Sequence, residues 1–394
     1  MNRFSFSATL GLVVFAAMGH AGPLDTWTFR GPLLTDKPIY GIAYGNQQFV
    51  AVVVDGTVLT SVDGVSWVQG QTGTTNYLRG IGYGNGQFVA VGWDGSIVTS
   101  ADGVSWVQQQ SGSTAQLHDA VYANGQFVVV SGGGPTGCVL TSADGTNWVQ
   151  QYSGHFERLE RIAYRNGRFV AIGGYDDLIG DPYPIVLTSA DSTNWIHVQA
   201  PSTNGLSGIT FGNGQFVAVG GFYAGSTSTI ETSPDGVNWA RHPSGTTNAL
   251  SGIGYGNGQF VAVGGLQDNA TGIELNGTIV SSADGVNWVQ RPSGTTNLLF
   301  AVGYGNGHFL AVGDNGTILE SGNIVTLALI PGALTGVPSL SLEGPTGLAY
   351  TVQSSTDLIS WQTVTNLTSI QPTTLIFDAL PAASSHVFFR AYSQ

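Results

Sequence analysis

The sequence predicts an all-β fold: a seven-bladed β-propeller of four-stranded blades, closed by its N-terminal strand and followed by a small C-terminal β-sandwich. The first observation is repetition. The string Tyr83-Gly84-Asn85-Gly86-Gln87-Phe88-Val89-Ala90-Val91-Gly92 recurs with its phenylalanine at Phe49, Phe88, Phe127, Phe169, Phe216, Phe260 and Phe309. A second string, Ser100-Ala101-Asp102-Gly103-Val104-Ser105-Trp106, recurs with its tryptophan at Trp67, Trp106, Trp148, Trp195, Trp239 and Trp288. The second observation is composition: 58 of 394 residues are Gly, and Asn-Gly or Asp-Gly pairs punctuate each copy. Such pairs favour two-residue hairpin turns, which need positive φ at both central positions. The third is the absence of a sustained 3.6-residue apolar period, which excludes helical repeats of similar length.

Residues 1–21 read as a signal peptide. Arg3 supplies the positive end, an apolar stretch runs from Ala8 to Met18, and Gly19-His20-Ala21 offers small residues for cleavage. That stretch is shorter than the roughly 20 residues a membrane-spanning helix requires. The expected protein is therefore exported (secreted, periplasmic or on the cell surface), without membrane insertion, and monomeric.

The propeller is assigned to 22–323. In the second copy, Leu78–Gly84, Gln87–Trp93, Ser96–Ser100 and a strand around Trp106 form one blade, joined by turns at Asn85-Gly86, Asp94-Gly95 and Asp102-Gly103. Each tryptophan precedes the next repeat phenylalanine by 21 residues, and Trp27 precedes Phe49 by 22. Trp27 thus lies in repeat register, while the seventh copy stops at Ser321 without a tryptophan of its own. The N-terminal strand around Trp27 is expected to complete the last blade. Residues 324–394 carry six strand-like runs between Val325 and Ala391, separated by Gly, Pro, Asp and Ala breaks, and are expected to form the sandwich.

Ser-x-Asp-Gly-x-x-Trp resembles the Asp-box, or BNR, repeat of the sialidase-like β-propellers, in a form one residue shorter than the commonest. The resemblance spans Trp27 to Ser321 and implies a propeller fold. The family includes both hydrolases and pure binders, so it implies no single activity. Turn chemistry gives Asp63, Asp102, Asp144, Asp191, Asp235 and Asp284 a structural role, each carboxylate accepting bonds from its own turn.

Length variation singles out one face. From repeat phenylalanine to box serine the spacing is 12 in copies one, two and seven, but 15, 20, 17 and 22 in copies three to six. The connections near 131–138, 175–184, 222–229 and 266–276 are expected to build a wall around half of one rim. The innermost strands open on that face. The residue after their first apolar position is Tyr40, Arg79, His118, Glu160, Ser207, Ser251 and Phe300, and the next is Gly or Ala except at Asp119 and Arg161. Arg79, His118, Asp119, Glu160 and Arg161 are therefore candidate ligand residues. Tyr175, Asp176, Asp177, Asp181 and Tyr183 join them on the long loop of the fourth copy, where three carboxylates make Ca²⁺ conceivable, although the spacing matches no EF-hand.

Catalytic chemistry finds little support. No histidine spacing suits a metal, and the Gly-x-Gly strings precede strands rather than the helices a phosphate loop needs. Asp119 and Glu160 are the pair that could meet the 5 Å separation of a retaining glycosidase. A net charge of −13 without a basic run argues against nucleic acid, and Cys138 alone cannot form an internal disulfide. The expectation is a non-enzymatic binding or scaffold protein that takes a glycan or protein partner on the long-loop face, without a cofactor. The alternative is a divergent sialidase-like glycoside hydrolase.

Overall fold

The computed structural model describes residues 23–30, 34–132, 136–155, 157–175, 184–221, 228–267 and 274–322, and, beyond them, 326–331, 338–343, 349–355, 360, 362–368, 373–377 and 388–393. All regular structure among these residues is β. Seven four-stranded antiparallel sheets follow the repeat, six of them running inner to outer in chain order. In the seventh, the strands Leu299–Gly305, His308–Gly313 and Ile318–Ser321 are completed by Trp27–Phe29. Trp27 pairs with Ser321, Thr28 with Glu320 and Phe29 with Leu319.

The closing strand reproduces the repeat chemistry. In five blades the tryptophan Nε1 donates to the carbonyl three residues back, as from Trp67 to Gly64 at 2.9 Å. Trp27 Nε1 donates to Leu24 O at 3.1 Å in the same way. Arg30 pairs with Glu320, and Arg291 of the sixth blade with Asp25.

Each turn before the tryptophan is held by its aspartate. Asp102 Oδ1 accepts from the backbone N–H of Val104 and Ser105, and Ser100 Oγ both donates to it and accepts from Gly103 N. The other five repeat the double backbone bond, which lowers the carboxyl pKa of Asp102 to about 2. The tryptophan stands just before the outermost strand, Val107–Gln110 in the second blade, rather than inside it. There it packs on a layer built by two adjacent blades, for Trp106 the cluster of Val50, Val52 and Val58 from one and Leu78, Phe88 and Val98 from the next. The repeat phenylalanines are fully buried in these interblade layers.

The fifth blade departs from this pattern. Glu231 occupies the place of Val98 and is fully buried. Its Oε1 accepts from Ser202 N at 2.8 Å, whereas Oε2 and the nearby Trp239 Nε1 find no partner among the described residues. Burial pushes the Glu231 carboxyl upward, opposed by Ser202 and by Arg241 across the strand pair. A carboxyl raised in the folded state binds more protons there than when unfolded, so its contribution to stability is lost as pH rises above the ordinary glutamate range. Glu231→Gln keeps the Ser202 bond and removes the charge. Urea unfolding should show it about 1–2 kcal/mol more stable than wild type at pH 8 and equal to it at pH 4. A pH-independent difference would refute the assignment.

The expected loop wall is in part strand. The insertions lengthen the second and third strands to Gln126–Gly132 and Thr136–Ser142 in the third blade, and to Gln259–Gln267 and Glu274–Ser282 in the sixth. Hairpin pairing satisfies the backbone groups of the inserted residues, which free loops would leave to solvent. The tips fall outside the described residues, as do Asp176, Asp177, Asp181 and Tyr183 with the Ca²⁺ reading, and the leader 1–21. Tyr175 ends a strand, its backbone paired with Glu157.

Beyond Gly322 the chain forms a separate unit. It contains two three-stranded antiparallel sheets: Thr326–Pro331, Pro338–Glu343 and Thr373–Phe377 in one, and Gln362–Thr368, Ala349–Ser355 and Phe388–Ser393 in the other.

Candidate functional site

The innermost strands approach each other more closely than side chains permit. A Cβ at Gly80 would stand 2.3 Å from His118 O, and one at Gly252 2.6 Å from Phe300 O. One residue before this ring of small residues, the pairing with the second strand is interrupted in the first six blades, leaving Tyr40, Arg79, His118, Glu160, Ser207 and Ser251 out of register. A bulge releases a side chain from the alternation of the strand and re-aims it. Repeated around the ring, it sets Tyr40, Arg79, Glu160, Ser207 and Ser251 at one mouth of the central channel.

The mouth holds a cavity of about 300 Å³ lined by Tyr40, Arg79, Arg158, Glu160, Arg161, Leu206, Ser207, Ser251 and Phe300 among others. Glu160 is its electrostatic centre. Arg79 Nη2 donates to Glu160 Oε2 at 2.7 Å across the intervening third blade, and Arg158 Nε donates to Oε1 at 2.5 Å. Arg161 Nη1 donates to Glu160 O at 2.9 Å. Burial by itself would raise the Glu160 carboxyl, but Arg79, His118, Arg158 and Arg161 hold it well below the usual carboxylate range. Glu160 is therefore an ionised acceptor, with no proton to give a leaving group at neutral pH.

Two sequence candidates stand elsewhere. His118 is fully buried between the third and fourth blades and does not line the cavity. Its Nδ1–H donates to Leu159 O at 2.9 Å, and burial lowers its pKa to about 3, so the ring is neutral. Although bulged like Arg79 and Glu160, it turns into the blade interface, where Leu159 O accepts its N–H. Asp119 lies one ring deeper, beside Arg161 in a second cavity of about 140 Å³. Its Oδ2 accepts from Ile162 N at 3.0 Å. Burial pushes this carboxyl up, and Arg161 and the backbone N–H groups pull it back.

The apolar half of the mouth was not among the sequence candidates. Phe300 stacks on Tyr40 with centroids 4.6 Å apart, the Arg79 guanidinium lies over the Tyr40 ring at 6.0 Å, and Tyr77 Oη donates to Tyr40 Oη at 3.1 Å. Tyr77 in turn stacks on Trp93, which is 38% exposed. Trp93 is one of two tryptophans outside the repeat register, the signal that marks this rim in the sequence. Arg158, two residues before Glu160 on the same strand, reaches its carboxylate directly.

No protein-family model and no curated protein sequence matches the chain. Among solved structures, YCF48 bound to D1 peptide aligns with a TM-score of 0.59 at 16% identity, covering 78% of this chain and 97% of that one. A catalytically inactive virginiamycin B lyase from Staphylococcus aureus with quinupristin gives 0.63 at 10% identity, covering 76% and 99%. The computationally designed Ika8 protein gives 0.50 at 13% identity, covering 74% and 98%. At these identities the likeness is one of fold, and it supports the seven-bladed propeller with four-stranded blades.

Proposed function

We propose that this is an exported, non-enzymatic binding propeller that receives a segment of a protein partner at the arginine-rich mouth. The observation that carries the reading is the 300 Å³ cavity, where three arginines surround one carboxylate beside an apolar wall. Pockets of this size, largely apolar with a few convergent polar groups, suit recognition of a small chemical group. Propeller neighbours include one that binds a peptide and one that is a lyase, and the chemistry here leans toward the former. Glu160 is held in ion pairs and Asp119 lines the cavity below the mouth, which counts against their serving as the acid–base pair of the hydrolase alternative. A peptide is favoured over a glycan because the Tyr40 ring is already engaged by Phe300 and by the Arg79 guanidinium, which competes with stacking on a sugar ring. Export rests on the leader sequence. The two C-terminal sheets are read as a small sandwich serving attachment or stabilisation.

The test is peptide-display selection on the full chain, followed by titration of the selected peptides against Ser207→Phe/Ser251→Phe, which fills the mouth with two rings. Affinity should fall at least about tenfold while thermal unfolding is unchanged. Undiminished binding would remove the mouth as the recognition site.

A further inference from the structure

The outer edge of the propeller is protected unevenly. Every blade ends on a strand that has no further neighbour in its sheet. Such an edge is a template for pairing unless it is short, charged, bulged or interrupted by proline. Four of the edges are short: Ile196–His197, Ala240–His242, Val289–Arg291 and Trp27–Phe29. Arg241, Arg291 and Arg30 lie in or beside three of them, and Pro243 and Pro292 directly follow two. The third-blade edge, Val149–His155, faces a bulge between Val139 and Leu140. The first two blades carry none of these devices. Val68–Gln71 pairs without a break with Thr57–Thr60, and Val107–Gln110 with Ser96–Thr99. No charged residue and no proline occurs between Trp67 and Leu78 or between Trp106 and Leu117.

The direction of the free backbone groups follows from one bond. Thr72 N donates to Gly56 O at 3.1 Å, just past the first-blade edge. Because an antiparallel ladder alternates, Val68 and Gly70 turn their backbone groups inward with Thr72, and Gln69 and Gln71 turn theirs out. The same register in the second blade points Gln108 and Gln110 outward. Each open edge also begins on exposed valines: Val62 and Val68 are 68% and 67% exposed, Val104 and Val107 62% and 60%. Asp63 and Asp102 stand in the turns that lead into the two edges.

We infer that the outer edges of the first and second blades take an extended segment of a partner protein as a fifth, antiparallel strand, β-branched at its centre and basic at its C-terminal end. Backbone bonds to Gln69 and Gln71, or to Gln108 and Gln110, hold the segment, and its apolar side chains pack on Val68 or Val107. Antiparallel entry brings its C-terminal end to the start of the edge, beside Asp63 or Asp102, and the net charge of −13 favours a basic segment. A second copy fits less well. It brings the same negative charge, and pairing over four residues falls short of the roughly 1,200 Å² that stable association buries. This surface is separate from the channel mouth, which the innermost strands form.

Fluorescence anisotropy of fluorescein-Thr-Val-Thr-Val-Lys-Lys-amide with the full chain tests the edge. This peptide should bind in the millimolar range or tighter. Counterparts that end in Glu-Glu, or that carry Pro in place of both Val, should bind at least about tenfold more weakly. Gln69→Pro/Gln108→Pro removes an outward N–H from each edge and no inward one, so thermal unfolding should hold while affinity falls at least about tenfold. If that variant fails to fold, Gln69→Lys/Gln108→Lys keeps every backbone group, sets like charge against the segment and should show the same loss. Ser207→Phe/Ser251→Phe, with its mouth filled, should bind the peptide as wild type does. No binding of the lysine peptide, equal binding of all three peptides, undiminished binding to the folded edge variant, or loss of binding on filling the mouth would overturn the inference. Self-association of the free chain that Gln69→Pro/Gln108→Pro abolishes would overturn it too, by giving the edge to a second copy.

Discussion

Trp148→Ala should destabilise the propeller by about 3–5 kcal/mol in urea unfolding, the cost of removing a large aromatic from a packed layer. Trp148 packs on the apolar layer that Val89, Val91 and Ile97 of the second blade form with Leu117, Phe127, Val129 and Leu140 of the third. Its indole also donates to Gly145 O at 3.0 Å, closing the turn that Asp144 holds. Truncation therefore opens a void between two blades and leaves that carbonyl to water. Trp148→Phe retains part of the packing but not the bond, and should fall between wild type and alanine. An unfolding midpoint unmoved by the alanine change would mean that the tryptophans decorate the rim instead of cementing neighbouring blades.

The fold was legible because its rules are local and repeated. Asn85-Gly86 adopts φ of 49° and 75°, the positive pair that a tight hairpin turn demands, and the sequence writes this pair in nearly every copy. The register of Trp27 announced the closing strand because a spacing survives when its neighbours diverge. One exception shows the limit of pattern. Ser192 replaces the box glycine of the fourth blade yet still takes φ of 66°, with Gln126 donating to its hydroxyl.

The site was legible only as a list of ring positions. Arg79, Glu160 and Arg161 do meet at the mouth, but His118 and Asp119 do not join them there, because each bonds to the backbone of the neighbouring blade, His118 to Leu159 O and Asp119 to Ile162 N. A bulge has no residue signature in this chain beyond the small residue that follows it. Tyr40 and Phe300 went unassigned for a related reason: their roles arise from contacts between different blades, Tyr40 with Tyr77 and Arg79 of one neighbour and with Phe300 of the other.

Closure of the ring is the second large effect. Deleting residues 23–30 removes three paired residues, the bond from Arg30 N to Ile318 O, the Arg30–Glu320 pair and the buried part of Trp27. The loss should be about 4–6 kcal/mol, from hydrogen bonds of roughly 1 kcal/mol each and the apolar area of the indole. It would also bare Ile318–Ser321 as an unpaired edge, so self-association should accompany it.

A cysteine pair at Thr28 and Glu320 tests that closure most directly. Directly opposed antiparallel residues have Cα atoms about 4.5–5.5 Å apart, within the range a disulfide spans. Cys138 is buried and should not compete. Oxidation of the full chain should give near-complete cross-linking and a higher melting temperature that reduction reverses. A pair that stays reduced, or that cross-links no better than a control with the first cysteine moved to Thr26, would contradict a ring sealed by its own N-terminal strand.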